Sequence, residues 1–358
     1  MPDIIMRLLP SRYALRCLLI GGMLIASSAE GQSDDASSGL PASALDDAVA
    51  RAASLPRLHS LLVAHHGDNV IEYSADGESL SEPTNIKSLA KTVISAMVGI
   101  AIQRGIIEGV DQPIVELLGQ RVPDDASPRI DDVTVGHLLS MQAGLEPTSG
   151  PNYAAWVASD NWLNYILTRP FVADPGGRML YSTGSTHLLS AALTFSTGRD
   201  THALARDWLG EPLNIAIPPW TQDPQGLYMG GNEMALSPLA ILRFGEMYRQ
   251  GGTVDGQRIL SREWIEASWT PYTRSVFNFD EYGYGWFITE LAGEDVYYGW
   301  GYAGQMLYIV PSLGLSVVMT SNPSPPSPGQ SYLEELEAIV AEVLIPAAQK
   351  PDATDSRH

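Results

Sequence analysis

Cysteine is all but missing from this chain; the single one, Cys17, lies in an apolar run near the N-terminus. That excludes a disulfide framework and, beyond residue 17, a thiol nucleophile or a cysteine-ligated metal. Lysine is nearly as scarce: Lys87, Lys91 and Lys350 are the only three among 21 basic residues. Against 41 acidic residues the net charge is −20, and a nucleic-acid partner, which needs a basic field, is excluded. Simple adsorption to anionic lipid is disfavoured for the same reason. No Gly-x-Ser-x-Gly occurs, so an α/β-hydrolase nucleophile elbow has no anchor. His-Glu-x-x-His is absent, the seven histidines are scattered, and His65-His66 reads as part of a solvated turn. No glycine loop opens a helix as a phosphate site requires, so neither a nucleotide, a metal nor any other cofactor is expected. Asp131-Asp132 reads as surface and not as a glycosidase pair. No internal repeat is visible.

What is present begins with Arg7, Arg12 and Arg16, the apolar run Cys17 to Ala26, and the small residues Ser27-Ser28-Ala29. This charged, apolar, small-residue order predicts a secretory signal over residues 1–29, too short for a comfortable permanent span. Export to a bacterial periplasm or medium is expected, with no stable membrane span after cleavage; an uncleaved anchor is the alternative. Residues 30–43 read as a flexible leader. A helix is expected from Ala44 to Ala53, then strands at Ser60 to Ala64 and Asn69 to Tyr73. Pro83, with Thr84 or Asn85 as cap, predicts a helix to Arg104-Gly105 that is apolar on nearly every side and therefore buried. Further helices are expected at Val135 to Gln142, Thr186 to Thr197, Pro238 to Arg249 and Tyr332 to Ile345. Strands are expected at Tyr284 to Glu290, Gln305 to Val310 and Leu315 to Thr320. The order predicts an α+β fold: a sheet domain from 44–112 and 221–348, a mainly helical insertion at 113–220, and a tail at 349–358. No sequence feature specifies an oligomeric state.

Three stations carry the chemistry. Ser88 lies three residues before Lys91 in the predicted buried helix, so both face one side. A lysine, unlike an arginine, can lose its proton when buried and act as a base on a neighbouring serine. Free N–H groups in the first helical turn can hold an oxyanion. Tyr181-Ser182-Thr183 follows the turn Asp174-Pro175-Gly176-Gly177; a tyrosine beside an ammonium loses its phenolic proton more readily, although a half-buried structural tyrosine reads the same way. Gly299-Trp300-Gly301-Tyr302-Ala303-Gly304-Gln305 is either an ordinary turn or a strand edge whose glycines admit a substrate. Tyr153, Trp156, Trp162 and Tyr165 either line a cleft or form an aromatic core.

In this order the stations resemble the serine hydrolases of the class C β-lactamase type, which include penicillin-binding peptidases, esterases and amide hydrolases. The segments Val133 to Leu145, Tyr181 to Ser190 and Gly251 to Ser261 are similar to other stretches of that family, so the likeness runs from about residue 45 to 345. It implies a β-lactamase/transpeptidase-like fold, an antiparallel sheet flanked by helices with a helical insertion. It also implies Ser88 as acylated nucleophile, Lys91 and Tyr181 sharing proton transfer, and an oxyanion hole from the N–H groups of Ser88 and Tyr302. Thr183 stands where the family often has asparagine and can hydrogen-bond a substrate amide. Gly299-Trp300-Gly301 stands for the family's Lys-Thr-Gly; the cation that grips a β-lactam carboxylate is replaced by Trp300, an apolar wall with one N–H. The expectation is an exported serine hydrolase acting on a small ester or linear amide, as in family members that cleave aminohexanoate oligomers or short-chain esters. β-Lactamase or D-Ala-peptidase activity, or a non-catalytic cell-wall peptide binder, are the alternatives.

Overall fold

A computed structural model describes residues 39–326 and 329–350. The expected signal, most of the leader and nearly all of the C-terminal tail lie outside the described residues.

Helix α1, Ala42–Ala53, precedes strands β1, Leu58–His65, and β2, Asp68–Ser74. Short strands β3, Thr273–Arg274, and β4, Glu281–Tyr282, lead to β5, Phe287–Leu291, β6, Glu294–Gly301, β7, Gln305–Val310, and β8, Leu315–Ser321. All eight form one sheet in the order β2-β1-β8-β7-β6-β5-β4-β3, with antiparallel pairs throughout. The first hairpin thus closes against the last strand, Leu62 opposite Val318, although more than 250 residues separate them. Between residues 113 and 220 the regular elements are helices.

Alternation along the central strands produces a three-layer arrangement, because successive side chains leave opposite faces. Leu62, Ala64, Leu307, Ile309 and Val318 face a core shared with α2, Ala90–Gln103, α3, Thr183–Thr197, and α4, Pro238–Arg249. Leu61, Val63, Met306, Tyr308, Val317 and Met319 face the opposite core, closed by α1 and the helical run that starts with α5, Gln330–Ile339. Each fully buried Leu or Val of this set contributes roughly 1.5–3 kcal/mol relative to exposure.

Helix α2 is the central element. Every residue from Ala90 to Ala101 is buried, Lys91 included. Its start differs from the expected one. Thr84–Asn85 pairs as a two-residue strand with Ala235–Leu236, and Lys87–Leu89 forms a 3₁₀ turn, so the α-helix begins only at Ala90. Asn85 Oδ1 accepts the Lys87 N–H at 2.9 Å, a local bond that competes with helix, and Lys87 takes a left-handed φ of 52°. The strand reading of Tyr284 to Glu290 is also corrected. A kink over residues 283–286 separates β4 from β5, and its carbonyls pin α2: Thr92 Oγ1 donates to Gly285 O at 2.8 Å and Ser95 Oγ to Tyr284 O at 2.6 Å. β6 ends in the Gly-Trp-Gly segment, which by sequence reads as a turn or strand edge.

Ser95 and Thr92 are buried, so removing either hydroxyl leaves a carbonyl without its partner. Ser95→Ala and Thr92→Val are each expected to lower the unfolding free energy by about 1–3 kcal/mol, measured by urea unfolding.

Candidate active site

Ser88 occupies the middle of the 3₁₀ turn, immediately before α2. This places its N–H at the opening of a helical run, where donors lack helical partners and the dipole is positive. The turn is braced from both sides. Asn85 Nδ2 donates to Glu233 Oε2 at 2.8 Å, and Lys87 Nζ lies 3.5 Å from Glu233 Oε1. The left-handed backbone at Lys87 costs on the order of 1–3 kcal/mol and orients the following serine.

Lys91 Nζ lies 3.0 Å from Ser88 Oγ, 3.3 Å from Thr183 Oγ1 and 2.7 Å from Gly231 O. The side chain is 2% exposed, and desolvation lowers its pKa to about 7, from an ordinary value of 10.5. Tyr181, one residue before the N-cap of α3, places its ring centroid 4.9 Å from Lys91 Nζ. Burial pushes the Tyr181 phenol up to about 12, partly offset by a hydrogen bond with Ser88. The expected facilitation of phenol ionisation is therefore reversed: burial, which excludes water from the phenol, outweighs what its neighbours offer. At neutral pH the lysine is the member of the trio able to accept a proton, and the tyrosine is a hydroxyl able to donate one.

Thr183 opens α3, three residues earlier than the expected helix start. Its hydroxyl contacts Lys91 and, at 3.0 Å, Ser149 Oγ, which also accepts the Thr183 N–H at 2.8 Å. The threonine thus helps to orient the lysine as well as facing the cleft.

Gly299 and Gly301 have a different reason from the one expected. A Cβ on Gly301 would overlap the Ile86 carbonyl, and one on Gly299 would overlap the Leu89 side chain. Their room is taken by the chain itself, and Gly301 is not among the cleft-lining residues. These close approaches seat β6 on the Ser88 turn. Between them, Trp300 alternates toward the cleft, where its buried Nε1 has no hydrogen-bond partner among the described residues. Tyr302 lies in the β6–β7 turn at the cleft mouth, 49% exposed.

The resulting cleft, about 370 Å³, brings together Ser88, Tyr181, Thr183, Trp300 and Tyr302 over buried Lys91. Sequence reasoning does not single out Ser149, Gly231, Asn232, Phe277 or Phe287. Of these, the pair Gly230-Gly231 after the turn Asp223-Pro224-Gln225-Gly226 is the available signal. Phe277 stands edge-on to Tyr181 and Trp300, with centroids at 5.1 and 5.6 Å. Of the four insertion aromatics, Tyr153 lines the cleft and is held by Asn232 Nδ2 at 2.8 Å. Trp156 and Trp162 are core, and Tyr165 packs at its edge. No side chain lining the cleft is ionised by type as Asp, Glu, Lys or Arg. Among the described residues no cluster of ligands suits a metal ion, and no helix is long and apolar enough to cross a membrane.

Comparison with known proteins follows the same outline. No curated protein matches by sequence. Among solved structures, one from Bacillus anthracis named "Putative 6-aminohexanoate-dimer hydrolase" superposes with a TM-score of 0.64 at 21% identity, over 86% of this chain and 81% of that one. A D-stereospecific amidohydrolase from Streptomyces sp. gives 0.66 at 18%, over 84% and 98%. A penicillin-binding protein homologue from Pyrococcus abyssi gives 0.63 at 21%, over 84% and 76%. These likenesses establish the β-lactamase/transpeptidase fold. The sequence profile described as Beta-lactamase matches residues 59–342, which takes in the whole cleft, and the chain belongs to that family.

Proposed function

We propose that the protein is a serine hydrolase in which Ser88 is acylated, Lys91 is the general base, and the substrate is a small uncharged ester or linear amide. The observation that carries this reading is the buried, neutral-leaning Lys91 amine 3.0 Å from a cleft-facing serine hydroxyl. In the first step Lys91 Nζ takes the Ser88 proton while Oγ attacks the carbonyl carbon. The oxyanion forms against the N–H of Ser88 and that of Tyr302 at the end of β6. The proton then passes through the Tyr181 hydroxyl to the leaving alcohol or amine, and water reverses the sequence to free the acid.

The lining argues for the substrate class. Six of its eleven residues are aromatic: Tyr153, Tyr181, Phe277, Phe287, Trp300 and Tyr302. Lys87, beside Ser88 in the chain, is paired with Glu233. A carboxylate-bearing β-lactam would be desolvated there without a counter-charge, whereas an apolar acyl group is favoured. The structures named for an amidohydrolase and an aminohexanoate-dimer hydrolase share this fold. Export remains part of the proposal, resting on the Arg-rich, apolar, small-residue order of residues 1–29.

Treatment with a fluorophosphonate should add one adduct by intact mass, absent in Ser88→Ala of unchanged fold; a protein that takes no adduct would instead be the non-catalytic binder. Because Lys91 acts in its neutral form, the rate of acylation should rise with pH through about 7 to an alkaline plateau. Lys91→Arg, always charged, should lose at least about a hundredfold at every pH. Phe277→Ala should raise KM for a hydrophobic p-nitrophenyl ester with little change in kcat, since the ring contributes to ground and transition state alike. Steady-state kinetics over a pH series check all three statements.

A further inference from the structure

Proton transfer among Ser88, Lys91 and Tyr181 leaves unused an ionisable pair that is fully buried among the described residues. His187, on α3 one turn and a half past Tyr181, and Asp223 have side chains that are 0% exposed, with His187 Nε2 3.2 Å from Asp223 Oδ2. The imidazole is wedged edge-on against Trp156 and Trp162, with centroids at 5.8 and 5.4 Å. Its other nitrogen, Nδ1, accepts the Gly230 N–H at 3.3 Å. An accepting Nδ1 carries no proton, so Nε2–H is the donor to the carboxylate and the tautomer is defined by its two partners. Asp223 is held in turn: its Oδ1 accepts the N–H groups of Gln225 and Leu227, each at 2.8 Å.

The held segment ends at the base. Gly231 O is the nearest of the three partners of Lys91 Nζ, at 2.7 Å. Gly230 and Gly231 lie directly on α3 and α2: a Cβ on Gly230 would overlap the Thr186 carbonyl, and one on Gly231 would come within 2.9 Å of Lys91 Cγ. Gly231 also takes a φ of +82°. Two glycines with no side chains of their own to anchor them need another fastening, and the Gly230 N–H bond to His187 is positioned to supply it.

We infer that Asp223 and His187 form a tautomer-locked clamp that positions the Gly231 carbonyl, and through it the Lys91 amine, for proton transfer from Ser88. Neither residue touches substrate; both are positioning residues. The carbonyl orients the amine by accepting one of its hydrogens, which turns the lone pair toward Ser88 Oγ. It also favours the protonated form relative to an amine without that acceptor. Tyr181 is the titratable side chain in contact with Lys91, and Glu233, two residues past Gly231, is engaged by Lys87 and Asn85.

This inference rests on the reading of Lys91 as base, and Asp223→Asn tests it. The amide oxygen can still accept from Gln225 and Leu227, but its NH₂ now faces Nε2. The imidazole must move its proton to Nδ1, and two donors then meet at Gly230. The expected result is a fall in kcat on the order of 10- to 100-fold with KM within about twofold. Fluorophosphonate labelling should be slow but reach one adduct per chain, and the acid limb of the rate profile should move to lower pH. His187→Asn, whose amide oxygen can replace Nδ1 toward Gly230, should keep more activity than His187→Leu. Nitrogen-15 NMR of the imidazole should show an Nε2–H tautomer in the natural protein and Nδ1–H in Asp223→Asn. Unchanged kcat and limb in Asp223→Asn overturn the inference, as does a smaller labelled fraction reacting at full rate, which marks mere loss of folded protein. If the natural protein takes no label, the failure belongs to the Ser88 assignment, and the NMR tautomers still decide the clamp.

Discussion

A single buried amine organises this molecule. Lys91 sits in a helix buried at every position from Ala90 to Ala101, and it is 2% exposed. Water cannot hold its charge there, so the proton leaves near neutral pH. The linkage has a definite sign. The folded-state pKa lies below the unfolded value of 10.5, so the unfolded chain binds the proton more tightly. Stability therefore rises with pH between about 7 and 10.5, and is diminished below that window by the full cost of burial. Three oxygens from three parts of the chain, Ser88, Thr183 and Gly231, surround the amine and offset part of that cost. A residue that weakens the fold at neutral pH and is so closely surrounded is what a tuned base requires.

The sheet serves this constraint by bringing rigid backbone to the helix start. β6 runs along the Ser88 turn with Gly299 and Gly301 on the inner side, where side chains would collide with Leu89 and Ile86. The intervening Trp300 must then point the other way, into the cleft. Alternation along one strand therefore fixes both the close seating of the turn and one wall of the substrate site. The same close packing holds the Ser88 turn against rigid backbone, the condition the proposed oxyanion hole needs.

Much of this is legible in the residues. Local patterns mark β1, β2, α1 and α4, and scarce lysine in an apolar helix, one turn from a serine, draws attention to Ser88 and Lys91. What escapes depends on distant partners. The start of α2 looks helical from Asn85 onward, but Thr84–Asn85 pairs with Ala235–Leu236 and Asn85 bonds to Glu233, contacts about 150 residues away. The end of β6 reads as either a turn or a strand edge, since Gly-Trp-Gly carries two glycines, and packing on Leu89 and Ile86 is what explains them. The direction of the Tyr181 shift is not readable locally either, since it depends on how deeply the tertiary fold buries the phenol. Phe277 and Asn232 join the site through loops whose positions no periodicity encodes.

Chemistry and recognition are carried by different kinds of structure here. The proposed proton-transfer groups sit on α2, on the turn before it and just ahead of α3, with a glycine loop clasped against both helices. The cleft mouth is built from turns: Tyr302 between β6 and β7, and the loop carrying Phe277, 49% exposed. That loop is not loose. Ser275 N–H donates to Asp280 O at 2.8 Å, and Asp280 Oδ2 accepts from Tyr298 Oη at 2.6 Å and from Asn278 Nδ2 at 2.8 Å. Tyr298 belongs to β6, so the lip is tied to the strand that carries Trp300. An apolar acyl group lying against Phe277 and Trp300 would meet walls fastened to one strand, itself packed on the Ser88 turn. Substitutions in the lip can then change which acyl group fits while leaving the lysine, its three oxygens and the helix start as they are.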